Sequence, residues 1–205
     1  MPNLVAVPLI SCRVAELDFT VTPLQLHTPT NDITAGPALD RDKVLAAMNA
    51  GADAIADRCD YLIVGDMGIG NTTAAAARQQ PFDDHAVALL AAFGGHELAA
   101  IAGAVLAARA RSIPVMLDGL STAAALSAQG QLDILDHAMI AHMSPEPGNL
   151  RLAVALRKVP IIDLKMRLGE ASGAAVATLL VRAACALHYG MTTFGEAGVN
   201  RNNTL

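Results

Sequence analysis

The side chains best suited to chemistry fall in four polar segments that carry glycine, each following an apolar run. The first is Gly65-Asp66-Met67-Gly68-Ile69-Gly70-Asn71-Thr72-Thr73, which follows Tyr61-Leu62-Ile63-Val64 and precedes an Ala-rich stretch. A strand that breaks on glycines before a helix leaves backbone N–H groups unpaired at the helix start, where they attract anions. Gly65, Gly68 and Gly70 let the backbone turn tightly and approach a ligand, while Asn71, Thr72 and Thr73 can cap the helix and donate to phosphate oxygens. This pattern predicts a phosphorylated small molecule as the guest. No Lys follows the last glycine, so the segment is not the phosphate loop of ATPases, and its glycine spacing does not match the dinucleotide fingerprint. An ordinary strand-to-helix turn would read the same way in isolation.

The other three segments are Asp118-Gly119-Leu120-Ser121-Thr122, then His142-Met143-Ser144-Pro145-Glu146-Pro147-Gly148-Asn149, then Arg167-Leu168-Gly169-Glu170-Ala171-Ser172-Gly173. The elements that must hold them alternate short apolar or β-branched runs with longer Ala-rich patterns, the signature of an α/β fold with a mostly parallel sheet covered by helices on both faces. Strands are expected at residues 4–7, 20–24, 61–64, 114–117, 138–141 and 160–164. Helices are expected at 40–57, 71–78, 95–111, 121–129, 149–156 and 172–189, most of them opening on a residue that can cap. Ligands of open parallel sheets bind beyond the carboxyl ends of the strands, so the four segments are expected to share one pocket. Without internal repeat or linker, the 205 residues are expected to form a single domain.

Composition narrows the classes of function. The chain is 53% apolar and 16% charged, which rules out a disordered chain. A net charge of −5, four Phe, two Tyr and no Trp provide neither a basic footprint nor stacking platforms, so nucleic acid is not an expected partner. The longest apolar stretch, residues 98–108, is too short to span a bilayer and the first ten residues lack a basic start, so a cytoplasmic protein without membrane contact is expected. Cys12, Cys59 and Cys185 are widely separated and odd in number, which suits reduced, mostly buried thiols.

In this order the segments resemble the nicotinate-nucleotide:dimethylbenzimidazole phosphoribosyltransferase family of cobalamin biosynthesis. Its motifs read roughly GEMGIGNTT, GG-E-AAIAGA, DGF-STAAAL, SH-SAE-GH and LRLGEGTGAA. The chain answers with GDMGIGNTTAAAA, GGHELAAIAGAVLAA, DGLSTAAAL, AHMSPEPGN and LKMRLGEASGAA. Asn31-Asp32-Ile33 and Pro37-Ala38-Leu39 resemble the family's upstream RNI and PAM stretches, so the likeness extends from about residue 28 to residue 199. It implies a three-layer, Rossmann-like fold and transfer of the 5-phosphoribosyl group from nicotinate mononucleotide to 5,6-dimethylbenzimidazole or a related base, yielding α-ribazole phosphate and nicotinate. It further implies a homodimer and neither cofactor nor metal.

Residue by residue, the resemblance puts the catalytic base, the Glu of RLGEGTG, on Glu170, with Leu168 and Gly169 of the same turn beside the substrates. Gly68, Gly70, Asn71, Thr72 and Thr73 fall on the family's donor loop. Asp66 stands where the family usually has Glu and is shorter by one methylene. Its other reading is a residue that ties down its own turn. Ser121 and Thr122 either donate to phosphate or ribose or simply cap their helix. Glu146 falls on the carboxylate before Gly-His, with Asn149 in place of the His. His96 and His142 are expected to be hydrogen-bonded structural residues. Lys165 and Arg167 either offset phosphate charge or face solvent.

Two departures are expected to matter. Family members carry a long N-terminal helical portion that this chain is expected to lack, and between Thr73 and Phe93 they insert a GRGTG-like loop and a Lys that contact the donor phosphate. Losing one charge-assisted phosphate contact costs about 1.5–3 kcal/mol, roughly ten- to hundredfold in affinity. The alternative to an active enzyme is therefore a non-catalytic homologue that binds a phosphorylated nucleotide or a partner subunit.

Overall fold

The computed structural model describes residues 7–66, 86–119 and 135–198. In chain order its elements are α1 (Val7–Val14), α2 (Arg41–Asp53), β1 (Leu62–Val64), α3 (Ala86–Phe93), α4 (His96–Ala110), β2 (Val115–Leu117), β3 (Ala138–Ile140), α5 (Pro147–Ala155) and α6 (Ser172–Gly190). The strands pair in parallel in the order β1-β2-β3, with Ile63, Met116 and Met139 in line across the sheet.

Successive strand residues point to opposite faces. Val64, Val115, Leu117, Ala138 and Ile140 pack with Ile101 and Val105 of α4 and with Leu152 of α5 on one face. Met116, Ile63 and Met139 pack with Ala174, Ala177 and Val181 of α6 on the other. Helices thus cover both faces, which explains why the strands read as continuous apolar runs. A second layer of helix, α2 and α3, packs on α4 through Val44, Ala47, Leu90 and Leu98. The α2–α4 crossing requires glycine on both sides. A Cβ at Gly51 would land on the Ala100 carbonyl, and one at Gly103 on that of Met48.

Helix starts follow local chemistry. Asp40, extended at ψ 163°, caps α2 by accepting the Lys43 N–H at 2.9 Å, and Pro147 sits in the first turn of α5, where its missing N–H costs nothing. Expected helices 40–57, 95–111, 149–156 and 172–189 are found with shifted ends, and expected strands 61–64, 114–117 and 138–141 each lose one residue.

Several expectations fail. Residues 20–24 form no strand; Pro23 has no N–H to give a ladder and the segment is largely exposed. Residues 160–164 reach the sheet through the Ile161 N–H on the Ile140 carbonyl and a parallel bridge of Ile162 to His142, after which the chain turns away. Val7, expected in a strand, opens α1, and α3 was not foreseen at all. Its sequence AVALLAAF is apolar throughout, so it has no polar face through which a helical period would show. Expected helices 71–78 and 121–129, and strand residues 4–6, lie outside the described residues.

α6 is long and apolar enough, by length and composition alone, to cross a bilayer, unlike the stretch at 98–108. Its first turns are buried on the sheet, which excludes lipid there, and midway Arg182 donates to Glu16 at 2.9 Å. Cys12 is buried, Cys59 half-buried and Cys185 exposed, all as free thiols. The expectation of mostly buried cysteines fails at Cys185 because it sits on the exposed half of α6.

Candidate functional site

The carboxyl ends of the three strands and the start of α6 meet at one edge of the sheet. Gly65, directly after β1, lies against the turn before α6, so closely that a Cβ there would strike the Ala171 backbone nitrogen. Asp118 follows β2 and His142 lies just beyond β3. Both abut Gly173, where a Cβ would sit 2.7 Å from Asp118 Oδ1 and 2.7 Å from His142 Cβ. Only a residue without a side chain fits between them.

Glu170, the expected base, is half-buried in this turn. Gly169, Glu170 and Ala171 have φ of 70°, 56° and 65°, three left-handed residues in succession. The Ser172 N–H donates to the Gly169 carbonyl at 3.0 Å and closes the turn. Left-handed backbone costs a residue with a Cβ roughly 1–2 kcal/mol, and such strain concentrates at functional sites. Ala171 stands where the family motif RLGEGTG has glycine, so this chain bears a strain that glycine would avoid.

Ala171, the N-cap of α6, makes no side-chain capping bond. Asp118 caps the helix from β2 instead, its Oδ2 accepting the Gly173 N–H at 2.8 Å. A carboxylate also suits the positive end of the helix dipole. Asp118 is 5% exposed. Burial pushes its carboxyl above the usual range, and hydrogen bonds from the Ala174 and Gly173 backbone pull it partly back.

His142, 4% exposed, accepts at Nε2 from the backbone N–H groups of Leu164 and Met166, each at 3.3 Å. It is the hydrogen-bonded structural residue expected. His96 differs: at 6% exposure, neither ring nitrogen has a hydrogen-bond partner among the described residues.

Of the expected substrate contacts, Asp66 is half-buried at the end of β1, next to the Glu170 turn through Gly65. Gly169 belongs to the left-handed turn. Leu168 is 55% exposed, so it lines no closed wall. Glu146, half-buried, is the N-cap residue of α5 on the loop beyond β3, and its own N–H donates to Ser144 Oγ at 3.3 Å. Gly68, Gly70, Asn71, Thr72, Thr73, Ser121 and Thr122 lie outside the described residues. Lys165 pairs with Asp163 at 2.7 Å on the surface, and Arg167 is exposed.

Glu97 was not singled out, although it stands in GGHELAAIAGA. It lies in the first turn of α4 with its carboxylate folded over Gly95, where no Cβ would fit. Burial raises its carboxyl above the usual range, helped by the negative charge of Asp66 and opposed by its own N–H and His96. Glu97 and Asp66 therefore belong to one electrostatic neighbourhood at the end of β1. Among the described residues, no three His, Cys, Asp or Glu side chains are grouped to hold a metal.

Comparisons with known proteins give the family of the chain. A phosphoribosyltransferase family matches residues 4–82 and 76–199. Nicotinate-nucleotide–dimethylbenzimidazole phosphoribosyltransferase of Rhodobacter capsulatus is 40% identical over 225 residues, covering 92% of this chain and 67% of that protein. The protein of the same name from Cereibacter sphaeroides is 42% identical over 227 residues with the same coverage. The chain thus spans about two thirds of the length of these relatives. The crystal structure of the Thermus thermophilus protein of that name superimposes with a TM-score of 0.84 at 30% identity, over 96% of this chain and 75% of that one. That of CobT from the same organism gives 0.77 at 32%, over 84% and 64%. The alignments are longer than the 205 residues of the chain, and the family match divides at residues 76–82. Relatives therefore carry residues inside the aligned span that this chain lacks. On its ordered motifs, its sheet and these relatives, the chain belongs to the nicotinate-nucleotide:dimethylbenzimidazole phosphoribosyltransferase family.

Proposed function

We propose that the chain transfers the 5-phosphoribosyl group of nicotinate mononucleotide to 5,6-dimethylbenzimidazole or a related base, forming α-ribazole phosphate and nicotinate for the lower ligand of cobalamin. The observation that carries this reading is the Glu170 turn at the carboxyl edge of the parallel sheet, next to Asp66, in a chain that shares the family's ordered motifs. One benzimidazole nitrogen attacks the anomeric carbon as the carbon–nitrogen bond to the pyridinium breaks, and that electron pair leaves on nicotinate. The other nitrogen loses its proton to Glu170. Because the leaving group is already activated, most of the catalysis is positioning. Gly68, Gly70, Asn71, Thr72 and Thr73 hold the donor phosphate, Asp66 with Ser121 and Thr122 the ribose, and Glu146, Leu168 and Gly169 the flanks of the site. The chain works as a single domain in the cytoplasm, with a second copy covering the exposed apolar end of α6.

A chromatographic assay for α-ribazole phosphate tests this. The wild-type chain is expected to form product and Glu170→Gln to be about 10²–10⁴-fold slower. An unchanged rate in the variant would remove Glu170 as the base.

The division of the family match at residues 76–82 favours a second reading, a homologue that binds the nucleotide without turnover. Nicotinate mononucleotide would then raise the Tm while no nicotinate is released.

A further inference from the structure

We propose that His142 and Asp118 are positioning residues that grip the Glu170 segment at its two ends and so hold Glu170 in its left-handed turn. This rests on the reading of Glu170 as the base.

The chain from Ile161 onward is first held by the sheet. The Ile162 N–H donates to the Ala141 carbonyl at 3.0 Å, and the Met143 N–H to the Ile162 carbonyl at 2.9 Å. Past Ile162 this ladder stops, and the backbone bends around the His142 ring. Leu164 and Met166 both donate to the same Nε2, and Lys165 between them has φ 57°. An acceptor shared by alternate residues forces such a bend, because extended backbone would point the two N–H groups along one side at wider spacing.

The far end is held by Asp118 Oδ2 on the Gly173 N–H at 2.8 Å. The two grips are not independent, since Gly173 is wedged between Asp118 and His142 with no room for a Cβ. Between Met166 and Gly173 the first half of the segment, Arg167, Leu168 and Gly169, faces solvent, while Glu170 and Ala171 are half-buried and Ser172 is buried. Besides its two ends, the Gly169-Glu170-Ala171 turn is held by the Ser172 N–H on the Gly169 carbonyl and by Gly65 packed on Ala171.

In this arrangement the acceptor atom of His142 matters, not its bulk. His142→Gln puts an amide oxygen within similar reach of the two N–H groups, whereas His142→Phe fills the space and accepts nothing. We expect His142→Phe to speed amide exchange at Leu164 and Met166 by about tenfold or more, and to lower kcat about tenfold to a hundredfold with KM for nicotinate mononucleotide nearly unchanged. His142→Gln should keep both close to wild type. If His142→Phe does not fold, Asp118→Ala carries the same expectation at the Gly173 amide. Wild-type exchange and kcat in His142→Phe, or equal loss in the Gln and Phe variants, would overturn the proposal. If exchange follows the acceptor while the wild-type chain forms no α-ribazole phosphate, the grip stands and only the phosphoribosyl-transfer reading falls.

Discussion

Along α6 the N-terminal and C-terminal turns meet opposite surroundings. Ser172, Gly173, Ala174, Ala175, Ala177 and Thr178 are buried, Ala174 and Ala177 against Met116, Ala141 and Ile162, and the start of the helix is capped by Asp118, which follows β2. Beyond Leu179 almost every residue is exposed, including Leu180, Leu187 and Tyr189, and the chain continues into exposed Met191 and Phe194. A helix that is apolar all round is normally buried. The first end uses small residues to bring backbone close to the site; the second presents large ones with nothing over them among the described residues. One helix thus packs its first turns beside the Glu170 turn and leaves its last turns bare among the described residues.

Substitutions at the two ends should separate these roles. The largest effect is expected from Gly173→Val, whose side chain must displace Asp118 or His142. Overpacking of this kind costs about 1–3 kcal/mol, or a Tm lower by about 2–12 °C in a chain of this size, and calorimetry should show it together with loss of product formation. Ala171→Gly should act in the opposite direction. Relief of left-handed strain returns about 1–2 kcal/mol, of which glycine's backbone entropy takes back roughly 0.5–1, leaving a Tm rise of up to about 6 °C with activity kept. A fall in Tm would mean that the turn is not strained.

A smaller effect, dependent on pH, is expected at Asp118. Burial raises its carboxyl above the ordinary value, so the folded state holds that proton more tightly than the unfolded state does. The stability it contributes is present below the unfolded value, near 3.9, and is lost as pH rises through the folded one. Asp118→Asn resembles the protonated acid and can still accept from Gly173. Its Tm advantage over wild type should therefore be near zero in acid and grow toward neutrality. An advantage that shrinks with rising pH would reverse the sign.

The least change in folding is expected at the bare end. Leu180→Asp and Leu187→Asp should each alter stability by no more than about 0.5 kcal/mol. If a second copy covers this surface, light scattering should show a dimer for wild type and a monomer for the double variant. A wild-type monomer would leave the surface without that partner.

The parts legible in the sequence were those governed by neighbours along the chain. The cap at Asp40 located α2, the apolar runs located β1, β2 and β3, and the motif around Glu170 located the acid at a helix start. Residues 20–24 and 160–164 read as strands because their apolar and β-branched composition suits one, yet a strand exists only where a partner offers its backbone. The α3 run misled in the opposite way, having no polar face to betray its period. In the site, Asp66 and Glu170 stood out by motif, whereas Glu97, Asp118 and His142 acquired their roles from contacts that no local pattern encodes.

By itself the sequence determined the strands β1, β2 and β3, the helices that open on capping residues, and the family. These follow from side-chain pattern, capping and motif, which act over a few residues. Tertiary structure alone decided that Gly173 must lack a side chain, that Asp118 caps a helix 55 residues further along, and that Glu170 sits in a left-handed turn. The physical reason is distance along the chain: a bond from His142 to Leu164 or Met166, 22 and 24 residues away, forms only after the sheet has brought both segments to the same edge.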